Sequence, residues 1–364
     1  MVEEEIKDLS NAFPQNKKQI IGEENRIATL FNEGSDAQFS GREKEILEDV
    51  ANNTGFEPVE LLNRSSVSWG SFATGEGALH YSGKYYGKDA VMKIQGLKPS
   101  TSEIDILQEF AKRNKSKFVR PPHLYGFVPW NEQKKYEALI LEDIGNNRVV
   151  HLPATQQDVN EFIRFYEDYR MNCVSDPWLK KPISTISERL PSYYRRNLQI
   201  NAEKYSKHPY KQPEDELLAN NAFDILINGY KGIDYVFQHA HLTETDLYHV
   251  DNQIVVLSNI FWGYRTPFYD AVLLQHHYTS HHLADVEGMT VEKLEEQRQM
   301  WLDAIQSLPE TQGQNQRLLK LALLERATAG LMVDALSIKL DNPLAETFIE
   351  KTRNQVKKLS KELK

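Results

Sequence analysis

A single cysteine, Cys173, occurs in the 364 residues of this chain. That excludes an intramolecular disulfide and a thiolate cage around a metal, and it fits a reducing, cytoplasmic setting. Positive charge is in deficit as well, with 43 Lys and Arg against 52 Asp and Glu and a formal net charge of -9. A chain with a negative overall field is poorly suited to a phosphate backbone, so a dedicated nucleic-acid binder is not expected. Long apolar runs are missing. The most apolar long segment, 318–338, is interrupted by Lys320, Glu325, Arg326 and Asp334, and it reads as a buried helix of a soluble protein, with no membrane partner expected. The first residues, Met1-Val-Glu-Glu-Glu-Ile, are acidic and lack the apolar core of a secretory signal. No internal repeat or low-complexity tract occurs. No Gly-x-x-x-x-Gly-Lys-Ser/Thr is found either, which weighs against a P-loop nucleotide enzyme.

What is present suggests two lobes, since 40% hydrophobic content at this length can bury one large core or two smaller ones. The first 60 residues or so are polar and helical in pattern. Ser40-Gly-Arg-Glu43 resembles a capping box, Ile46, Leu47 and Val50 make an apolar stripe, and Asn52-Asn-Thr-Gly55 stops it. A second short helix is predicted over 57–62. Two helices around Gly55 could be a DNA-binding helix-turn-helix, but only Arg64 near the end of the second could touch phosphate or base edges. A packing arm on the next domain is the preferred reading.

From residue 66 the pattern changes to strands. Strands are predicted over 67–72, 78–86 and 90–94, with a glycine-bearing turn Thr74-Gly75-Glu-Gly77 and another turn at Gly87-Lys88-Asp89. A helix is expected over 101–112 and two further strands over 123–128 and 136–141. Gly145-Asn-Asn then makes the best domain boundary in the sequence. Helices are expected over 156–172, 184–206, 214–230, 268–284, 290–307 and most of 312–362, interrupted by a hairpin of strands 247–250 and 253–257. The predicted domains are a helical extension at 1–64, a small sheet-based lobe at 65–145 and a helical lobe at 146–364.

Several short motifs fall in order along this plan. Lys93 lies in Ala-Val-Met-Lys-Ile, and Glu103 follows ten residues later in Glu-Ile-Asp-Ile-Leu. Glu142 and Asp143 end the run Leu-Ile-Leu-Glu-Asp-Ile-Gly. His239-Ala240-His241-Leu242 leads to Asp246, and Ser258-Asn259-Ile-Phe-Trp262 follows the hairpin. In order and spacing, over roughly 66–285, these residues resemble the aminoglycoside phosphotransferase and choline kinase branch of the protein-kinase-like superfamily. The resemblance implies a two-lobed α+β kinase-like fold, with a small antiparallel-sheet lobe, a larger mainly helical lobe and a cleft between them.

It also implies roles for particular residues. Lys93 would hold nucleotide phosphates and pair with Glu103, Gly75 and Gly77 would belong to the covering turn, and Glu142 would stand at the adenine-binding hinge. ATP and Mg²⁺ are the implied cofactors. The partners would be a nucleotide and either a small molecule bearing a hydroxyl or a protein.

The loop departs from the family pattern of His-Gly-Asp-Leu followed by Asn. His241 replaces the base aspartate, Asp246 stands at the asparagine position, and Asn259 replaces the metal-binding aspartate. A general base contributes roughly 10²- to 10⁴-fold, whereas metal and charge alignment carry most of phosphoryl transfer. Asn259 is therefore the graver change, because a neutral amide binds hard Mg²⁺ poorly. The catalytic candidates are His241 and Asp246, and the metal candidates Asp246 and Asn259. The expected function is a degenerate kinase, or pseudokinase, that binds nucleotide weakly or serves as a binding module. The alternative is an active ATP-dependent phosphotransferase on a small-molecule hydroxyl, with His241 receiving the proton.

Other features have simpler expectations. His276-His277-x-x-x-His281-His282 has the spacing of a metal site on a helix, although surface histidines are the plainer reading. Phe162, Phe165, Tyr166 and Tyr169 recur at helical spacing and read as core. Tyr193-Tyr-Arg-Arg196 reads as a solvated helix face, and 351–364 as a last amphipathic helix packed on its lobe.

Overall fold

Met92 and Ile94 alternate with Lys93 and Gln95 along one segment, and this period of two sends the first pair into an apolar core and the second to the opposite face of a sheet. In the computed structural model, residues 36–65, 68–69, 72–73, 78–95, 101–134, 136–191, 208–279, 283, 286–334 and 342–364 are described. They fall into two units. One runs to Arg113 and resumes over Arg120–Asn146; the other comprises Asn114–Val119 and Asn147–Lys364.

The first unit is built on a five-stranded antiparallel sheet. Helix α1 (Asp36–Thr54) precedes β1 (Phe56–Ser65), β2 (Ala78–Tyr85) and β3 (Lys88–Gln95). Helix α2 (Glu103–Arg113), β4 (Leu124–Asn131) and β5 (Tyr136–Glu142) follow, and the strand order is β1-β2-β3-β5-β4. A two-residue ladder pairs Ser68–Trp69 with Phe72–Ala73. On one face Leu79, Tyr81, Met92, Ile94, Ala138 and Ile140 pack with Ile46 and Val50 of α1. On the other, Leu139 packs with Ile104 and Leu107 of α2. β2 and β3 are joined through Tyr86 and Gly87, both at positive φ (47° and 79°), as a two-residue turn matched to strand twist requires.

Two predicted elements differ. The single strand expected over 67–72 is replaced by the pairing of Ser68–Trp69 with Phe72–Ala73. The helix expected over 57–62 is part of β1, and the helix-turn-helix reading falls with it. Gly55, at φ +76°, ends α1 in a conformation that side-chain-bearing residues rarely adopt, and the chain leaves as a strand pairing with β2 from Phe56↔Tyr85 onward.

The second unit is mainly helical. Its helices are α3 (Gln156–Asp168), α4 (Glu214–Gly229), α5 (Tyr269–His277), α6 (Val291–Ser307), α7 (Asn315–Ala329) and α8 (Ala345–Leu363). Thr155 and Asp158 form a reciprocal capping box at the start of α3. Phe162, Phe165, Tyr166 and the following Tyr169 are buried, as expected, with Phe162 edge-on to Trp301 of α6 at 5.3 Å. α8 also packs as expected, burying Phe348, Val356, Leu359 and Leu363. It is tied to α4 by a buried two-point ion pair: Arg353 Nε donates to Asp215 Oδ1 at 2.5 Å and a second guanidinium nitrogen to Oδ2 at 2.9 Å.

The expected hairpin forms from β7 (Leu247–Val250) and β8 (Gln253–Val256). Beside it lies a ladder that periodicity did not reveal, β6 (Val236–Gln238) against β9 (Gly263–Arg265). Residues 192–207, including Tyr193-Tyr-Arg-Arg196, lie outside the described residues. No helix among the described residues is long and apolar enough to cross a membrane.

Candidate functional site

The alternation that buries Met92 and Ile94 leaves Lys93 on the face covered by α2. There its Nζ meets Glu103 Oε2 at 2.5 Å, in a pair whose side chains are 13% and 4% exposed. The predicted partnership therefore exists. Gln95, two residues on and so on the same face, donates from Nε2 to the same Glu103 oxygen at 3.3 Å. Glu137, fully buried on β5 opposite Gln95, accepts from Ser102 Oγ at 2.9 Å. Burial raises the Glu137 pKa, and the nearby Glu103 charge adds to the effect. His80, opposite Lys93 on β2, is held neutral to about pH 4, first by burial and then by the Lys93 charge. The Lys93 amine and the carboxyls of Glu103 and Glu137 are thus grouped, largely out of solvent, on the α2 face of the sheet.

Glu142 ends β5, where its carboxylate forms an ion pair with Arg120 and its N–H donates to His123 O at 3.0 Å. The Gly145 N–H closes a turn on Asp143 Oδ1 at 2.9 Å. Gly75 and Gly77 lie outside the described residues.

In the second unit, the loop after β6 is clamped at its start. His239 is fully buried, its N–H donates to Tyr169 Oη at 2.6 Å, and the Tyr169 hydroxyl donates to Asp270 Oδ2 at 2.8 Å. Burial lowers the His239 pKa, so the ring is neutral. Its Nε2 lies 2.7 Å from Leu257 O, and because a carbonyl only accepts, Nε2 carries the proton. Ala240 then takes a left-handed φ of 68° while 98% buried, a conformation suited to glycine.

That bend presents His241, whose ring stacks on Phe261 at 4.1 Å and whose Nδ1 lies 3.6 Å from Asp246 Oδ2. Asp246 Oδ2 also accepts from the Thr243 N–H at 2.8 Å and the Thr243 hydroxyl at 2.7 Å, in a capping box around the short turn Glu244–Asp246. Burial opposes the Asp246 charge, but hydrogen bonding to His241 and to the Ser258 hydroxyl outweighs it. The carboxyl is held well below its usual range. An ionised carboxylate thus faces one nitrogen of a partly exposed imidazole.

Asn259 is 1% exposed and opens the turn Asn259–Phe261. Its Nδ2 donates to Val256 O at 2.8 Å and its Oδ1 accepts from Trp262 Nε1 at 2.9 Å. An indole only donates and a carbonyl only accepts, so both partners fix the same amide orientation. Trp262 itself packs among Tyr169, Trp178, Phe237 and His239. The donor set does not fit Mg²⁺: one neutral amide oxygen is taken by an indole, and one carboxylate oxygen by a cap. Among the described residues no group of three His, Cys, Asp or Glu could hold a metal ion.

The expectation of surface histidines on α5 is corrected. His276 and His277 are 7% and 8% exposed. α5 is covered by α6 and α7, so both of its faces are interior. Burial, followed by the Arg326 charge, lowers the His277 pKa to about 4, and its Nδ1 lies 3.5 Å from the buried Glu244 of the loop. His281 and His282 lie outside the described residues. Sequence reasoning missed Gln95, Glu137 and the Asn259–Trp262 clip, none of which stands out from an ordinary strand or turn residue.

No family model and no curated protein matches the chain. Solved structures do. Aminoglycoside phosphotransferase APH(4)-Ia matches at TM-score 0.55 and 9% identity, over 88% of this chain and 98% of that one. An amicoumacin kinase in complex with AMP-PNP, Ca²⁺ and Ami matches at TM-score 0.53 and 15% identity, over 89% and 96%. Choline kinase from Cryptosporidium parvum Iowa II matches at 0.50 and 13%, over 88% and 96%. At such identities the likeness speaks to the fold. The chain has the kinase-like α+β fold of the aminoglycoside phosphotransferase and choline kinase branch.

Proposed function

We propose that this chain is a kinase-fold protein that binds a nucleotide through Lys93 and has lost metal-dependent phosphoryl transfer. The observation that carries the reading is the contrast between two sites. The phosphate-side ion pair Lys93–Glu103 is formed at 2.5 Å, while the Asn259 amide that replaces the metal aspartate is engaged at both ends by Val256 and Trp262. An ammonium held by a carboxylate on a rigid strand is preorganised to receive phosphate oxygens, and it does so without a metal. The nucleotide complexes among the similar structures, with ADP or AMP-PNP, support the choice of ligand class. A second reading has its own support. The Asp246 carboxylate faces His241 Nδ1 at 3.6 Å, which orients the imidazole as a base toward a small-molecule hydroxyl.

The two readings separate in one experiment. Thermal shifts with ADP and ATP, in Mg²⁺ and in EDTA, are measured for the native chain and for Lys93→Ala, with ATP turnover followed in parallel. The proposal expects equal shifts with and without Mg²⁺, loss of the shift in Lys93→Ala, and no turnover above that of His241→Ala. Turnover that depends on His241 would move the assignment to the active phosphotransferase. Absence of any nucleotide shift in the native chain would end both.

A further inference from the structure

Two side chains, Gln95 and Glu137, stand behind the Lys93–Glu103 pair, and each carries a buried oxygen without a donor. Gln95 and Glu137 are register partners on adjacent antiparallel strands, so their side chains lie side by side on one face. The Gln95 amide orientation is fixed, because its Nε2 donates to Glu103 Oε2, which can only accept. Gln95 Oε1 is therefore an acceptor, it is buried, and it has no partner. Glu137 Oε2 accepts from Ser102, and its Oε1 is likewise buried without a partner. Two neighbouring acceptors without a donor are unfavourable as they stand, and a single proton on Glu137 turns one of them into the donor the other lacks.

We propose that Glu137 is a positioning residue for the Lys93–Glu103 pair, acting as a protonated carboxyl that donates to the Gln95 amide oxygen while Gln95 donates to Glu103. The chain Glu137 to Gln95 to Glu103 then sets where the Lys93 amine stands. The charged groups acting on Glu137 are Glu103, which favours the neutral form, and Lys93, which opposes it. Burial is the largest influence and favours the neutral form, against hydrogen bonds from Ser102 and the Glu103 backbone that favour the ionised one. When the proton is lost at higher pH, a second carboxylate appears beside Glu103, the Gln95 oxygen loses its donor, and the hold on Lys93 loosens. The functional weight of this relay rests on the reading of Lys93 as the nucleotide-binding amine.

The test follows the Lys93 amine directly. The rate at which an acetylating reagent labels Lys93 is measured by mass spectrometry across pH in the native chain, Glu137→Gln and Gln95→Leu, alongside ADP affinity. The native chain should show a step in labelling beyond the amine's own titration. Glu137→Gln, whose amide can still donate to Gln95, should keep Lys93 protected and lack the step. Gln95→Leu should label about three- to tenfold faster, the worth of one hydrogen bond. ADP affinity should follow the same order. A step that persists in Glu137→Gln, or unchanged labelling in Gln95→Leu, overturns the relay. ADP that binds through Lys93 with equal affinity in all three chains also overturns it. If no chain binds ADP but the labelling pattern holds, the relay stands and the nucleotide assignment fails.

Discussion

The Asn259 amide oxygen accepts from the Trp262 indole at 2.9 Å, while its nitrogen donates to the Val256 carbonyl at 2.8 Å. A carboxylate at 259 would keep the first contact and set an oxygen against the Val256 carbonyl in the second. Asn259→Asp should therefore lower stability by about 1–3 kcal/mol in denaturant titration and create no Mg²⁺-dependent ATP turnover. Turnover that appears in this variant and is absent from the native chain would assign the difference to the charge at position 259.

Ala240 turns the loop at φ 68° with its side chain buried. A left-handed alanine is strained by roughly 1–2 kcal/mol, and glycine removes most of that at some cost in chain entropy. Ala240→Gly should raise the denaturant midpoint by the equivalent of about 0.5–1 kcal/mol, and Ala240→Val should lower it. A destabilised Ala240→Gly would mean that the methyl group packs better than its backbone angle suggests.

The Arg353–Asp215 pair is 3% and 1% exposed. Removing one partner strands a buried charge, so Arg353→Ala should lose about 3–5 kcal/mol, while Arg353→Met with Asp215→Leu should recover much of it. Equal losses in the single and double variants, measured by equilibrium unfolding, would contradict this account of how α8 is held.

Acid should weaken the helical unit through His277. Unfolded, its ring takes up a proton near its usual pKa of 6.5, but folded only near 4. Stability is therefore complete above the unfolded value and falls as pH drops toward the folded one, by about 3 kcal/mol across the window. Urea unfolding followed at several pH values should show this slope, and His277→Gln should flatten part of it. An unchanged slope would assign the acid sensitivity to other groups, with His276 the next to examine.

The pairing of Lys93 with Glu103 was legible through the family resemblance, which sets a helix glutamate at that distance from the strand lysine. The hairpins β2–β3, β4–β5 and β7–β8 were legible from the residues themselves, as turn residues and strand runs agreed. β1 was not, because register shifts between Pro58 and Glu60 and between Leu61 and Asn63 break the alternation. Val59 and Leu62 are then 73% and 52% exposed, against the pattern of a half-buried strand. The three-residue strands β6 and β9 are too short for any period to show. Asn259 could be placed in register but not in role, since its partners are a main-chain carbonyl and an indole brought to it only by folding. Glu137 in Tyr-Glu-Ala-Leu reads like any solvent-facing strand glutamate until the α2 face is known to cover it.

Helix α1 places Ile46 and Val50 on the sheet face turned away from Lys93. Its contribution is that of a lid on oil. A shortened chain starting after residue 55, cut to begin at the sheet, would leave Leu79, Tyr81, Met92 and Ile140 wet, and should precipitate or bind hydrophobic dyes however intact its lysine remains.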